Sequence, residues 1–418
     1  MTESNNIPKH WQVKKLGEVC QIIMGQSPPS DTYNFEKLGL PFFQGKTEFT
    51  ELYPVVRKWC SKPNKISEPD DILISVRAPV GPTNISNVQC CIGRGLAAIR
   101  YANNYKFVFY YLRGVEKRLE KLATGTTFSA ISGETIRNLD FPLPPLPEQH
   151  TIVSKIEELF SELDNGIAQL KTAKQQLKVY RQSLLKWAFE GKLTNKKVKK
   201  GELPKGWKVV SIVDLADKAK HSLKAGPFGS ALKKEFYTNT GFKIYGQEQV
   251  ISDNAFLGDY YVDEEKYKEL KSCKVKAFDI LISLVGTVGK VLILPENCKE
   301  GIINPRLIKI TLNRELYYPK FFKYYFESSY VKNLYKNKAQ GTTMDVLNLG
   351  IIKTIPFPLP TMKEQQLIVS ELESKLTVCD KIEETISNSL QQAETLRQSI
   401  LKKAFEGKLV KTKPWQKK

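Results

Sequence analysis

The chain has 418 residues, with 64 Lys and Arg against 44 Asp and Glu, a formal charge of +20 that points to a polyanionic partner, nucleic acid first. Seven scattered cysteines without a Cys-x-x-Cys, and only three histidines, argue against a zinc site or a disulfide framework. Met1 to Lys15 is polar, and no apolar run reaches the ~18 residues of a membrane span, so a cytoplasmic protein with reduced thiols and no membrane contact is expected.

Taken in order, the chain opens on Pro8-Lys9-His10-Trp11 and a short apolar strand or helical turn, Leu16-Gly17-Glu18-Val19. A Gly/Pro turn follows at Gly25-Gln26-Ser27-Pro28-Pro29. Asp71-Ile72-Leu73-Ile74-Ser75 reads as a strand entered from an acidic turn residue, and leads to a turn at Arg77-Ala78-Pro79-Val80-Gly81. Phe107 to Leu112 is an aromatic helical segment, and Gly125-Thr126-Thr127 precedes the next element.

From Phe141 the prolines Pro142, Pro144, Pro145 and Pro147 give a stiff, non-helical lead-in. It stops at Glu148-Gln149, residues suited to a first helical turn. From there to Glu190 no proline occurs, and apolar residues recur at steps of three and four. Gly191 sits where a helix C-cap is expected.

The chain then repeats itself. A constant offset of 216 residues takes Phe141 to Phe357 and Leu193 to Leu409, and nearly half of the aligned positions are identical. The earlier features return too: Pro204-Lys205-Gly206-Trp207, Ile212-Val213-Asp214-Leu215, the turn from Gly226 to Ser230, the strand Asp279 to Ser283, the turn Val285 to Gly289, the aromatic segment Phe321 to Phe326 and Gly341-Thr342-Thr343. The middles, 30–70 and 230–278, share little beyond a glycine-aromatic strand. A duplicated scaffold with divergent surfaces fits two modules that read different things.

The expected seam of the first long helix is Ile152, Ile156, Leu159, Leu163, Leu170, Leu177 and Leu184. In the second it is Ile368, Leu372, Leu376, Ile386, Leu390, Leu396 and Ile400. A helix of about forty residues is roughly 60 Å long and cannot bury one stripe alone, so the two copies are expected to pair as a coiled coil. The alternative is that each packs on its own globular half. The expected division is 1–146 for a first domain, 147–195 for the central helix, 196–362 for a second domain, 363–410 for the C-terminal helix and 411–418 for a basic tail.

No motif for chemistry survives inspection. Gly45-Lys46-Thr47 resembles the end of a phosphate loop, but Leu40 stands where its first glycine is required. Asn304-Pro305-Arg306-Leu307 lacks the second proline and the aromatic of an amino-methyltransferase. The chain is therefore expected to be no enzyme and to bind no cofactor. The groups suited to DNA lie in or beside turns: Gln26, Ser27, Lys46, Arg77 and Arg94 in the first half, and Lys224, Ser230, Gln247, Gln249, Lys290 and Arg306 in the second. Arg and Lys can pair with guanine, and Gln with adenine, in the major groove. Thr126, Thr127, Thr342 and Thr343 suit a phosphate contact or a helix cap equally.

Two variable halves, each ending in Phe-Pro-Leu-Pro, a Glu-Gln pair and a long helix closed by Ala-Phe-Glu-Gly-Lys-Leu, resemble the specificity subunit of a type I restriction-modification system. The resemblance runs from Trp11 to Leu409. It implies an α+β fold in which two globular target recognition domains, related by an internal pseudo-twofold repeat, are separated by two helices pairing as an antiparallel coiled coil. Each domain would read one block of a split, asymmetric site in double-stranded DNA, and the helices would set the gap between the blocks. They would also dock two modification (methyltransferase) subunits that methylate adenine. Restriction (motor-nuclease) subunits would complete the complex. S-adenosylmethionine, ATP and Mg would be bound by those partners and none by this chain. A free-standing sequence-specific DNA-binding regulator is the competing expectation.

Overall fold

The computed structural model describes residues 7–123, 129–195, 198–199, 202–338 and 347–410. The chain divides into two units, Met1–Lys171 with Ser387–Lys418, and Thr172–Ile386. Each holds one globular head, one end of the first long helix and the opposite end of the second.

In the first unit, Gln12–Lys15 pairs antiparallel with Asp140–Leu143, directly ahead of the first long helix. A four-stranded antiparallel sheet follows, in the order Gln21–Met24, Leu96–Arg100, Ile72–Ser75 and Thr83–Ile85. Ile72–Ser75 is buried on both faces, which explains its uninterrupted apolar run. Ile72 and Ile74 join a core with the helix Tyr105–Gly114, while Leu73 joins Phe43, Ile92 and Leu96 on the other side. That second layer is a mixed sheet in which Leu40–Phe43 runs parallel to Cys90–Ile92.

The second unit is built on the same plan. Lys208–Val210 pairs with Phe357–Leu359. The antiparallel sheet runs Leu223–Ala225, Leu307–Ile310, Ile280–Ser283 and Val291–Ile293. Ile280 and Ile282 face one core and Leu281 the other. In its mixed sheet Phe242–Tyr245 is parallel to Gly301–Ile303. The stretches that share almost no sequence thus share the order of four strands, although the first head adds Tyr33–Asn34 at the edge of its sheet and the second carries two short helices, Gln247–Ile251 and Glu264–Glu269.

The long helices are Leu146–Phe189 and Met362–Phe405, 44 residues each. Their starts explain the Glu-Gln pair. Gln149 Nε2 donates to the carbonyl of Pro144, and Gln365 Nε2 to that of Pro360, both at 3.0 Å. Each buried amide therefore ties the proline lead-in to the helix. Glu148 does something further: it is buried, and accepts from Trp11 Nε1 at 3.0 Å and lies 2.9 Å from His10 Nε2. Past the ends, Gly191 and Gly407 have φ of +71° and +68°, the left-handed cap conformation.

Both expected uses of the helices occur. In the first unit Ile152, Val153, Ile156 and Phe160 of the first helix and Ile400, Leu401 and Ala404 of the second enter one core with Trp11, Phe107 and Phe141. In the second unit Leu177, Leu184 and Ala188 meet Ile368, Leu372 and Cys379 in the core around Tyr317, Phe322 and Phe357. The start of one helix lies beside the end of the other in each unit, so the pairing is antiparallel. Ile386 is buried, and Leu159 and Leu376 pack partly buried on these cores. Leu390 is half-buried. The seam is not uniformly closed. Leu396 is 49% exposed, and Leu163 and Leu170 line an open groove of about 570 Å³ beside Gly166 and Ala393. Small residues opposite the leucines leave that space unfilled.

Candidate nucleic-acid interface

In the first head the structure gathers three of the expected residues around one opening. Lys46, Arg77 and Arg94 line a cleft of about 500 Å³ with Gln44, Thr47 and Ser75. Local backbone geometry makes this possible. A Cβ on Gly95 would stand 2.4 Å from the Gln44 carbonyl, so glycine lets the turn at Gln44–Thr47 close against the turn carrying Arg94. Gly45 N donates to Glu48 Oε2 at 3.2 Å, fixing the single 3₁₀ turn Lys46–Glu48 that presents Lys46. Val76 N donates to the Gly95 carbonyl at 2.9 Å, and Ser75 Oγ to the Arg77 carbonyl at 3.0 Å, which hold the backbone of Arg77. Ser27 Oγ accepts from Arg94 N at 3.2 Å, and Gln26 is exposed beside it.

Among the described residues, Lys46, Arg77 and Arg94 are exposed and form no ion pair, and no acidic side chain lines the cleft. Three unneutralised cations around one concave opening favour a polyanion and can reach either phosphates or guanine edges. Arg100 is different: it makes two 2.8 Å bonds to buried Asp71 and is structural.

The second head repeats the backbone of this site and changes its side chains. Gly226 N donates to the Leu307 carbonyl as Gly25 N does to that of Leu96, each at 2.9 Å. Leu284 N donates to the Arg306 carbonyl at 3.0 Å, as Val76 N does to that of Gly95. Gly246 N is capped by Gln249 Oε1 at 2.7 Å, as Gly45 N is by Glu48. These anchors set Gln247 at the place of Lys46, Val285 at that of Arg77, Pro305 at that of Arg94, Arg306 at that of Gly95, and Phe228 at that of Ser27. Gln247 Nε2 donates to the Val285 carbonyl, and its Oε1 accepts from Arg306 Nη1 at 3.4 Å.

The other expected residues of this head scatter. Gln249 is 1% exposed, its amide engaged with Gly246, Glu248 and Leu257, so it braces the turn instead of facing a groove. Lys290 pairs with Glu327 at 3.9 Å. Lys224 lies opposite Lys309 in its sheet, among the lysines 220, 271 and 309 whose charge, after desolvation, holds the His221 imidazole below its ordinary pKa. Ser230 is exposed on the turn after Phe228. Thr126, Thr127, Thr342 and Thr343 lie outside the described residues. Gln44, Thr47 and Phe228 were not anticipated as site residues; an aromatic inside the Gly226 to Ser230 turn is a signal for Phe228, and the flanking of Lys46 is the signal for Gln44 and Thr47.

Comparison with known families decides what kind of molecule carries these heads. The model of the type I restriction modification DNA specificity domain matches twice, over residues 8–176 and 204–392. The chain belongs to the type I restriction-modification specificity family. It is 25% identical over 428 residues to the type I restriction enzyme EcoBI specificity subunit of Escherichia coli, which covers 98% of this chain and 88% of that one. It is 41% identical over 198 residues to the putative MjaX specificity subunit of Methanocaldococcus jannaschii, a match spanning 46% of this chain and 45% of the relative. The fold agrees with a chain from a solved type I R-M system, at TM-score 0.71 and 19% identity over 96% of this chain and 99% of that one. It also agrees with the HsdS subunit of Thermoanaerobacter tengcongensis, at TM-score 0.64 and 19% identity over 98% of this chain and all of the other.

As a type I specificity subunit the chain supplies sequence-specific DNA targeting to a restriction-modification complex, which favours that expectation over a free-standing regulator. Family membership supports a non-catalytic role. Among the described residues no helix is long and apolar enough to cross a membrane.

Proposed function

We propose that each head reads one block of a split, asymmetric site in double-stranded DNA, and that the paired helices carry two modification subunits and set the gap between the blocks. The observation that supports this best is the pair of reading sites: one backbone frame, built twice, bearing Lys46, Arg77 and Arg94 in the first head and Gln247, Val285 and Arg306 in the second. Equal frames with unlike donors and acceptors serve two different base sequences.

A second duplication supports two copies of one partner. Leu401, Phe405, Tyr111 and Pro142 line a groove of about 590 Å³ in the first unit. Leu185, Phe189, Tyr325 and Pro358 line one of about 600 Å³ in the second. These four pairs correspond through the internal repeat, while other lining residues differ, among them Lys117 and Arg118 in the first groove and Ser329 and Tyr330 in the second. The partners would bind S-adenosylmethionine and methylate adenine in the cytoplasm. Restriction subunits, where present, would add ATP- and Mg-dependent cleavage.

The test is co-expression with a type I modification (methyltransferase) subunit, followed by sequencing of modified adenines. A two-block motif is expected. Methylation at a single continuous motif, or none beyond that of the methyltransferase alone, would end the proposal.

A further inference from the structure

Phe228 is 87% exposed, the largest exposure of any bulky apolar side chain among the described residues. Its backbone is anchored on both sides. Gly226 is anchored to Leu307, and any side chain there would meet the Asn304 carbonyl at 1.9 Å. Pro227 is buried, the Phe228 carbonyl accepts from Ala231 N at 3.2 Å, and Leu232 inserts into a core with Ile244 and Leu281. A rigid turn therefore holds a bare aromatic ring in water, which wastes burial unless a partner covers it. The ring stands where the first head has Ser27, a residue that bonds the Arg94 turn of the basic cleft. The same backbone frame carries Gln247 and Arg306 in the second head, where Gln247 Oε1 accepts from Arg306 Nη1 at 3.4 Å.

We infer that Phe228 is a base-contacting residue of the second head, its ring packing against bases of the DNA block that this head reads. This rests on the proposal that the second head reads DNA. An apolar ring has two ways to meet a base: against a thymine methyl in the major groove, or as a wedge between neighbouring bases. Either supplies recognition without a hydrogen bond, which fits a site where an apolar valine and a proline stand in place of two arginines.

The experiment uses the full chain co-purified with its modification subunits and a duplex carrying the methylated motif. The wild-type complex is first shown to methylate both blocks; failure there counts against DNA reading itself and not against Phe228. F228A is expected to weaken binding about ten-fold or more, within the range set by loss of one base–aromatic contact, and to relax sequence preference only in the second head's block. F228W is expected to keep most of the affinity. Thymine-to-uracil replacement identifies a methyl contact, and brightening of 2-aminopurine fluorescence identifies a wedge. Because the ring is exposed, F228A should melt with the wild type. An F228A complex that melts, binds and methylates like wild type overturns the inference.

Discussion

Arg181 reaches Asp380 at 2.7 Å, joining the two long helices in the second unit. The internal repeat carries Asp380 back to Asp164 and Arg181 forward to Arg397, and those two residues also form an ion pair, in the first unit. The same bond is thus made twice with the helices exchanging roles, as an antiparallel pair of equal copies requires. The two are not energetically equal. Arg397 is more covered, at 15% side-chain exposure against 25% for Arg181, and stacks 5.0 Å over the Phe160 ring. Exposed ion pairs contribute about 0–1 kcal/mol, and a cation–π contact adds about 0.5–1 kcal/mol. Arg181→Ala is expected to cost at most about 1 kcal/mol and Arg397→Ala about 1–2 kcal/mol, measured by urea unfolding. Equal costs would contradict this ordering.

Gln365→Ala removes the side chain that bonds the Pro360 and Leu316 carbonyls and accepts from Tyr318 N. The position is fully buried, so polar backbone groups are left unpaired. A loss of about 2–4 kcal/mol is expected, summing unpaired buried groups at about 1–3 kcal/mol each with partial relaxation. Gln365→Glu keeps the acceptors and loses the donors, and should also destabilise. Chemical denaturation of the two variants checks this.

Arg77→Ala or Arg94→Ala should disturb only the block read by the first head. A lost guanine contact is expected to cost about 1–3 kcal/mol at one position. A lost phosphate contact instead weakens binding to all sequences and lowers the salt slope by about 0.9. Methylated-site sequencing and binding across a salt series separate the two. Altered preference in both blocks would contradict separate reading heads.

Gln182→Arg and Gln398→Arg each place a long charged side chain in one of the two matched grooves. If each groove docks one modification subunit, as proposed, each variant is expected to bind one copy fewer than the wild type, read by native mass spectrometry. Two copies retained in both variants would remove the grooves from the docking surface.

Burial pushes the Cys20 thiol to about 12 and those of Cys90 and Cys91 to about 11. A raised thiol pKa means the protonated, unreactive form persists through neutral pH and ionises only as pH approaches those values. At pH 8 the folded chain should leave these three unmodified by a disulfide reagent, whereas the chain in denaturant should react at all seven cysteines. Mass mapping of the labelled sites checks this; fast native labelling of Cys90 would contradict the packing around it.

The long helices were legible because nothing but helical spacing accommodates forty proline-free residues with apolar positions at three and four. Their bounds fall within two residues of the Glu148 and Glu364 starts expected. Less legible was which residues of that stripe face which neighbour. Val153 and Phe160 are buried against the head although neither stood in the expected seam, while Leu396 is half in water. Heptad counting assumes one contact face, and these helix ends use two. Ser27 and Phe228 already stand at the same place in the matching turns 25–29 and 226–230, but the correspondence of Lys46 with Gln247 was invisible for another reason. It is carried by backbone hydrogen bonds and by glycines at close approaches, so the side chains are free to differ and leave no alignment to follow.

Ile400, Leu401 and Ala404 complete the hydrophobic interior of the first head, although the entire second head precedes them in the chain. Phe405 adds ring contacts to Phe107 at 5.1 Å and Tyr111 at 5.5 Å. During synthesis the first head therefore stays unfinished until the whole of the second head has been made. A nonsense codon or proteolytic nick near residue 395 would damage not the adjacent second head but the first.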